Sequence, residues 1–396
     1  MSPRSQRVVG RRAVLKGLTL SALGAGGVLA GCGIPPARQS ADGCVSTDVS
    51  ASEKTLLFSN WPSYMDESEE KVNGKTVLPT LEDFQQQSGI KVTYTADVND
   101  NAEFYAKVRD QLGACQSCGR DIFVLTDWMA ARMVGLGWLQ KLDHSKIPNV
   151  GKQLLAPLKA PSWDPNRDYS VPWQSGLTGI AYNAKVTKQV GSFADLLSRD
   201  DLRGKVTLLS EMPDTMSFLL RMVGADPSQF TDAEWSKALE KLQDIVGTGQ
   251  VRRFTGNDYV QDLNAGNIAA CEAWSGDVIA MQADNPDIKF VVPEEGLNLW
   301  SDNMLVPNKA THKGNAEALM NYYYEPEVAA TLADWVNYIC PVTGARKAME
   351  TVDPDVVDDP LIFPDAAMLA KTSSFMPLDT AKAALYEADF NLAIGG

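Results

Sequence analysis

Histidine is nearly absent: the 396 residues contain two, His144 and His312. No G-x-S-x-G, H-E-x-x-H, phosphate-binding loop or dinucleotide fingerprint accompanies them, so the common carriers of nucleophilic, zinc and nucleotide chemistry are missing. Both histidines fall in polar segments, Asp143-His144-Ser145 and Thr311-His312-Lys313, and read as surface residues. Basic side chains are also scarce, with 36 Lys and Arg against 50 Asp and Glu and a formal charge of -14. Arg4, Arg7, Arg11, Arg12 and Lys16 lie within residues 1–31, which hold no acid, so the remainder is more acidic still. Such a body repels nucleic acid and favours cations near it, although acidity also serves solubility alone. Beyond residue 30 no run approaches the roughly 20 apolar residues of a membrane-spanning helix. Together these absences argue for binding rather than catalysis and call for no cofactor or metal.

What is present begins with an address. The basic stretch leads into an apolar, Gly-rich run from Leu18 to Ala30, too short for a stable bilayer anchor and typical of a secretory segment. Gly10-Arg11-Arg12-Ala13-Val14-Leu15-Lys16 resembles a twin-arginine export signal, departing from it at Gly10 and Val14. Leu29-Ala30-Gly31-Cys32 resembles the cleavage box of a bacterial lipoprotein. Residues 1–31 are therefore expected to be a signal peptide, with a lipid on Cys32. Residues 32–52, rich in Pro, Ser, Asp and Gly, are expected to form a flexible tether to the outer face of the cell membrane.

Outside the cytoplasm cysteines can persist as disulfides. Cys115-Gln116-Ser117-Cys118 is a candidate local bridge, Cys115 to Cys118, with redox and metal-ligand pairs as alternatives. Cys44 is then left over on the tether, and Cys271 and Cys340 are candidates to pair across the fold.

The body alternates strand and helix. Thr55 to Ser59, Ile90 to Tyr94 and Asp121 to Leu125 read as strands, separated by helical spacing over Val77 to Gln87 and Ala102 to Leu112. A second block carries strands at Val206 to Leu209, Ile268 to Cys271 and Ile288 to Val292, and a helix over Asp232 to Val246. Met304 to Pro307 reads as a short extended piece and Lys313 to Tyr324 as a helix. This order predicts an α/β fold with a largely parallel sheet. Ligands of such sheets lie beyond the carboxyl ends of the strands. That rule brings Asn60-Trp61, Thr126-Asp127-Trp128, Ser210-Glu211 and Trp274-Ser275-Gly276-Asp277 to one cleft.

At these residues the chain resembles the periplasmic spermidine and putrescine receptors of ABC importers. The resemblance is carried by Asn60-Trp61-x-x-Tyr64, Gly137-Trp138-Leu139-Gln140, Asp168 through Trp173, Gly176 to Asn183, Trp274 through Asp277, Pro293-x-Glu295-Gly296, Trp300-x-Asp302-Asn303-Met304 and Pro326-Glu327-Val328-Ala329. It covers roughly residues 55–350. It implies a two-lobed periplasmic-binding-protein fold of type II, each lobe a mixed sheet flanked by helices, with a hinge and an interlobe cleft. One lobe is expected at 53–179 and 276–325, the other at 180–275 and 326–396, with 66–77 as an inserted loop.

The same resemblance places Trp61, Tyr64 and Trp128 as aromatic contacts of one lobe and Trp274 as the facing wall. It puts Asp277, Trp300 and Asp302 in adjacent ligand segments, and Asp127 adds a charge beside Trp128. The chain departs from the family in one loop, where Met212 and Thr215 stand at the positions of amine-binding acids and Glu211 and Asp214 lie one residue away. A second departure is Ser175, where the family has a tryptophan. A polyamine needs aromatic walls for its methylenes and carboxylates for its amines. The expected ligand is thus a polyamine or related organic cation. The alternatives are a monoamine, a zwitterion, a quaternary ammonium compound or, further off, a sugar. The implied partners are the permease subunits of an importer, with the chain acting as a monomer.

Overall fold

The computed structural model describes residues 44, 46–68 and 76–395. The signal peptide, Cys32, most of the tether and the middle of the 66–77 insertion lie outside the described residues. Among the described residues no helix is long and apolar enough to cross a membrane.

Ten strands form one connected sheet. They are β1 (Thr55–Asn60), β2 (Lys91–Ala96), β3 (Ile122–Thr126), β4 (Ser170–Asn183), β5 (Val206–Leu209), β6 (Val251–Thr255), β7 (Ala270–Trp274), β8 (Ile288–Val291), β9 (Leu297–Leu305) and β10 (Thr372–Ser373). Their order is β2-β1-β3-β9-β4-β7-β5-β6, with β10 on β9 and β8 on β4. β1 pairs in parallel with β2 and β3, and β5 in parallel with β6 and β7. These two parallel groups are the lobe sheets, each flanked by helices. The long strands β4 and β9 run antiparallel to one another and join the groups, so each lobe sheet is mixed.

The sequence pattern missed this junction. β9 shows only its end as an extended piece. All but one of the 14 residues of β4 are buried, so no polar face marks a period of two.

Local chemistry fixes where the helices start. Asp100 caps Asn101–Gly113 by accepting from the amides of Ala102 and Glu103. Thr231 and Glu234 form a reciprocal capping box at Asp232–Gly247. Pro213 sits in the first turn of Met212–Met222, where its missing N–H costs nothing.

Helices Pro326–Val336 and Ala345–Val352 bury Ala330, Leu332, Ala333 and Met349 in the cluster that holds Phe58 and Phe84. The same cluster takes in Val278 and Met281 of helix Ser275–Asp284 and Ile288 of β8, which pairs with β4. The last helix, Thr380–Ile394, joins the other large cluster through Tyr386 and Phe390. Aliphatic helix faces go where the nearest unfilled apolar surface is, and sequence order does not reveal that surface.

The cysteine expectation is also corrected. Cys44 is bonded to Cys115, with Cα atoms 5.6 Å apart across 71 positions, while Cys118 is free. Cys271 and Cys340 are buried and unpaired. His144 is exposed, but His312 is largely buried, its ring nitrogens 3.0 Å from Asp121 and 3.1 Å from Glu53.

Candidate functional site

The site begins with strand register. Along β9 the period of two puts Asn298, Trp300 and Asp302 on one face. Across the sheet Asn298 of β9 stands opposite Thr178 of β4, and Thr178 opposite Trp274 of β7. This row of three converges on one acid. Asp214, in the first turn of helix Met212–Met222, accepts from Thr178 Oγ1 at 2.5 Å, Asn298 Nδ2 at 3.0 Å and Trp274 Nε1 at 3.4 Å. Two residues along, Trp300 lies on Gly176, where an added Cβ would fall 2.2 Å from the indole. Its Nε1 donates to Thr178 Oγ1 at 3.0 Å.

Three more carboxylates face the same space. Asp302 stands opposite Thr126 in the β3–β9 pairing and accepts from Thr126 Oγ1 at 2.7 Å and from the Tyr64 hydroxyl at 2.8 Å. Asp277, in the first turn of Ser275–Asp284, accepts from the hydroxyls of Tyr259 at 2.7 Å and Tyr338 at 2.9 Å, and from Asn257 at 3.1 Å. Glu211 reaches across the cleft. One of its oxygens accepts from both the backbone and the side-chain nitrogen of Asn101, and the other from Trp128 Nε1 at 3.2 Å.

Aromatic rings close the walls in sequence: Trp61 to Trp274, Trp274 to Trp300, Trp300 to Tyr338 and Tyr338 to Tyr64, with centroids 5.4–6.4 Å apart. They and the acids enclose a cavity of about 590 Å³.

The electrostatics are one-sided. Among the described residues, Glu211, Asp214, Asp277 and Asp302 form no ion pair with Lys, Arg or His; their hydrogen-bond partners are neutral donors. Burial raises all four from their ordinary values, Asp302 to about 7, and for Glu211 the nearby Asp100 adds to the effect. Burial without a counter-charge disfavours ionisation, so a cation brought among these groups would be strongly attracted. The first turns of two helices hold Asp214 and Asp277, which favours their charged form once a cation arrives. Trp61 Nε1 is buried without a partner.

Of the ten expected residues, Trp61, Tyr64, Glu211, Asp214, Trp274, Asp277, Trp300 and Asp302 line this cavity. Asp127 and Trp128 do not. They line a smaller neighbouring cavity, where Asp127 accepts from Asn303 at 2.7 Å and lies in the field of buried Arg167.

The displaced acids of the 210–215 loop are the ones aimed into the cleft. Thr215 turns inward to donate to Glu272 at 2.7 Å, and Met212 packs in the second core. Ser175 donates to Ser301 at 3.0 Å. The residues that sequence reasoning missed are Asn101, Thr178, Asn257, Tyr259, Asn298 and Tyr338, each a donor to one of the four acids. For Asn298 alone, its position two before Trp300 on a strand face was a usable signal.

Three comparisons with known proteins bear on this geometry. Residues 80–364 match the family model described as bacterial extracellular solute-binding protein. The chain is similar to the spermidine/putrescine-binding periplasmic protein of Salmonella typhimurium, 29% identical over 320 residues, covering 80% of this chain and 85% of that one. It is also similar to a putrescine-binding periplasmic protein of Pseudomonas aeruginosa, 29% identical over 355 residues, 84% of this chain and 90% of that one. Among solved structures, a lipoprotein of Treponema pallidum superposes with a TM-score of 0.71 at 21% identity, over 86% of this chain and 100% of that one. At that identity the superposition speaks for the two-lobed fold.

Proposed function

This chain belongs to the bacterial extracellular solute-binding proteins, and on that premise we propose that it captures a polyamine or related organic cation, spermidine- or putrescine-like, in the interlobe cleft. The protein works outside the cytoplasm, by binding and not by turnover. Its partners are a small-molecule ligand and a membrane-bound ABC importer.

The observation that carries the ligand class is the set of four buried carboxylates without a cationic partner among the described residues. Leaving them so is costly unless a ligand brings the missing charge. The aromatic wall suits the methylenes and cation faces of such a ligand. Two of the relatives at 29% identity carry polyamine-binding names.

Ligand enters between open lobes. Trp61, Tyr64 and Asp302 meet it from one side, and Asp214, Trp274 and Asp277 from the other. Glu211 has both oxygens engaged by the opposite lobe and acts as a latch that holds the closed form. The closed form then presents the ligand to the permease. The lipid on Cys32 and a monomeric state complete the proposal. Cys32→Ser should move the protein from the membrane to the soluble fraction, and persistence in the membrane pellet would remove the anchor.

A second reading has one observation in its favour. The unpartnered Trp61 N–H suits a ligand that also carries an acceptor, as a zwitterion does. Isothermal calorimetry with spermidine, putrescine, γ-aminobutyrate, choline and a neutral sugar decides between them. Preference for a di- or polyamine supports the main reading, preference for γ-aminobutyrate the second, and binding of the sugar alone sinks both.

A further inference from the structure

The smaller cavity that holds Asp127 and Trp128 has no place in the mechanism so far, yet it measures about 290 Å³ and meets the main one at Thr126, Asp214 and Trp300. Its character differs from that of its neighbour. Trp128, Trp163, Trp300, Phe375 and Met376 line it. Its own acid, Asp127, is balanced by Arg167, whose guanidinium is engaged by Leu158, Ser170 and Asn303. Neither charge is free for a ligand. The acid without a counter-charge is Asp214, and it lines both cavities. Its Oδ2 has only a long contact, 3.4 Å from Trp274 Nε1, and so has room for another donor.

Resting on the cation reading above, we propose that the ligand is a secondary ammonium whose nitrogen sits at Asp214, with an amine-bearing arm in the acid-lined cavity and an uncharged alkyl or aryl arm in the smaller one. A secondary ammonium has two N–H donors and two substituents, which matches a carboxylate standing where two cavities meet. The larger cavity supplies counter-charge for a second amine. Beyond the shared Asp214, the smaller one supplies aromatic surface and no unbalanced charge, so it accepts apolar area and rejects a terminal ammonium. Phe375 and Met376 line the pocket for this arm, which gives the C-terminal region a part in selecting ligand.

The test compares putrescine with N-benzylputrescine by calorimetry at pH 8. N-benzylputrescine should bind at least as tightly as putrescine. Trp163→Ala, which empties the smaller cavity, and Ala131→Phe, which fills it, should each weaken N-benzylputrescine about tenfold or more and leave putrescine within about twofold. The two variants act oppositely on volume, so a folding defect in one, visible in its melting curve, leaves the other decisive. Exclusion of N-benzylputrescine by the wild type, or an equal response of both amines to the variants, overturns the inference while the cation reading stands. Failure of the wild type to bind either amine overturns both.

Discussion

Glu211 of the second lobe caps a helix of the first: its Oε1 accepts from the backbone nitrogen of Asn101 at 2.8 Å and from its Nδ2 at 3.0 Å, at the first residue of Asn101–Gly113. The first amides of a helix have no partner within it, so an acceptor oxygen placed there satisfies a donor that would otherwise be orphaned. Here that stabilisation is available only when the lobes are shut. The cap is therefore a contribution to closure and not to the stability of either lobe alone.

Glu211→Gln keeps the shape and turns one of the two acceptors into an NH2 facing the donor of Asn101 or Trp128. Without ligand, small-angle scattering should show a larger radius of gyration than for the wild type, and affinity for the preferred amine should fall about tenfold. An unchanged solution shape would mean that the contact does not latch the lobes.

The raised acids give opposite pH trends for the empty and loaded protein. Asp302 keeps its proton up to about 7 and Glu272 up to about 8 when folded, against about 4 when unfolded. Between those values the unfolded chain binds fewer protons, so the stability of the empty protein falls as pH rises across that window. A cationic ligand needs Asp302 ionised, so its binding strengthens over the same range. If Asp302 alone sets the dependence, putrescine binds about thirtyfold more weakly at pH 5.5 than at pH 8. Asp302→Asn should flatten that calorimetric profile and raise the melting temperature of the empty protein at pH 8. A profile that stays steep in the variant assigns the titration elsewhere.

Gly176 is required by its neighbour. A methyl there would meet the Trp300 ring at 2.2 Å and drive the indole off Thr178. Gly176→Ala should weaken ligand about tenfold. In the Trp300→Ala background the same change should have little further effect, since the two residues act through one contact. Additive losses in the double mutant would show that Gly176 matters for another reason.

Cys44 and Cys115 close a loop across 71 positions. On chain-entropy grounds Cys44→Ser should lower stability by up to about 4 kcal/mol, while Cys118→Ser should leave the melting temperature near that of the wild type. Peptide mapping that recovers a Cys115–Cys118 bridge instead would reverse the assignment.

Much of the site was legible because its walls follow strands. Trp61 and Asp277 lie just beyond β1 and β7, while Trp274 ends β7 and Trp300 and Asp302 share one face of β9. Their chemistry is of types that stand out in a list of residues. The donors that hold the acids were not legible. Thr178 and Asn298 matter only through cross-strand register, and Tyr338 through a chain reversal at Asn337, whose φ is 58°. Glu211 and Asp214 were read as one residue out of place. In the structure Thr215 serves the inner carboxylate Glu272, which leaves the flanking positions to face the cleft. The disulfide was misread because Cys115 has a partner three positions away and another 71 away, and proximity in sequence favours the wrong one.

The bond from Cys44 to Cys115 also sets a leash. If Cys32 carries a lipid, as proposed, 12 positions separate it from Cys44, which is bonded to the body through Cys115. At full extension they span about 40 Å. On that proposal the length of chain between anchor and disulfide bounds how far the receptor's body can stand from the membrane.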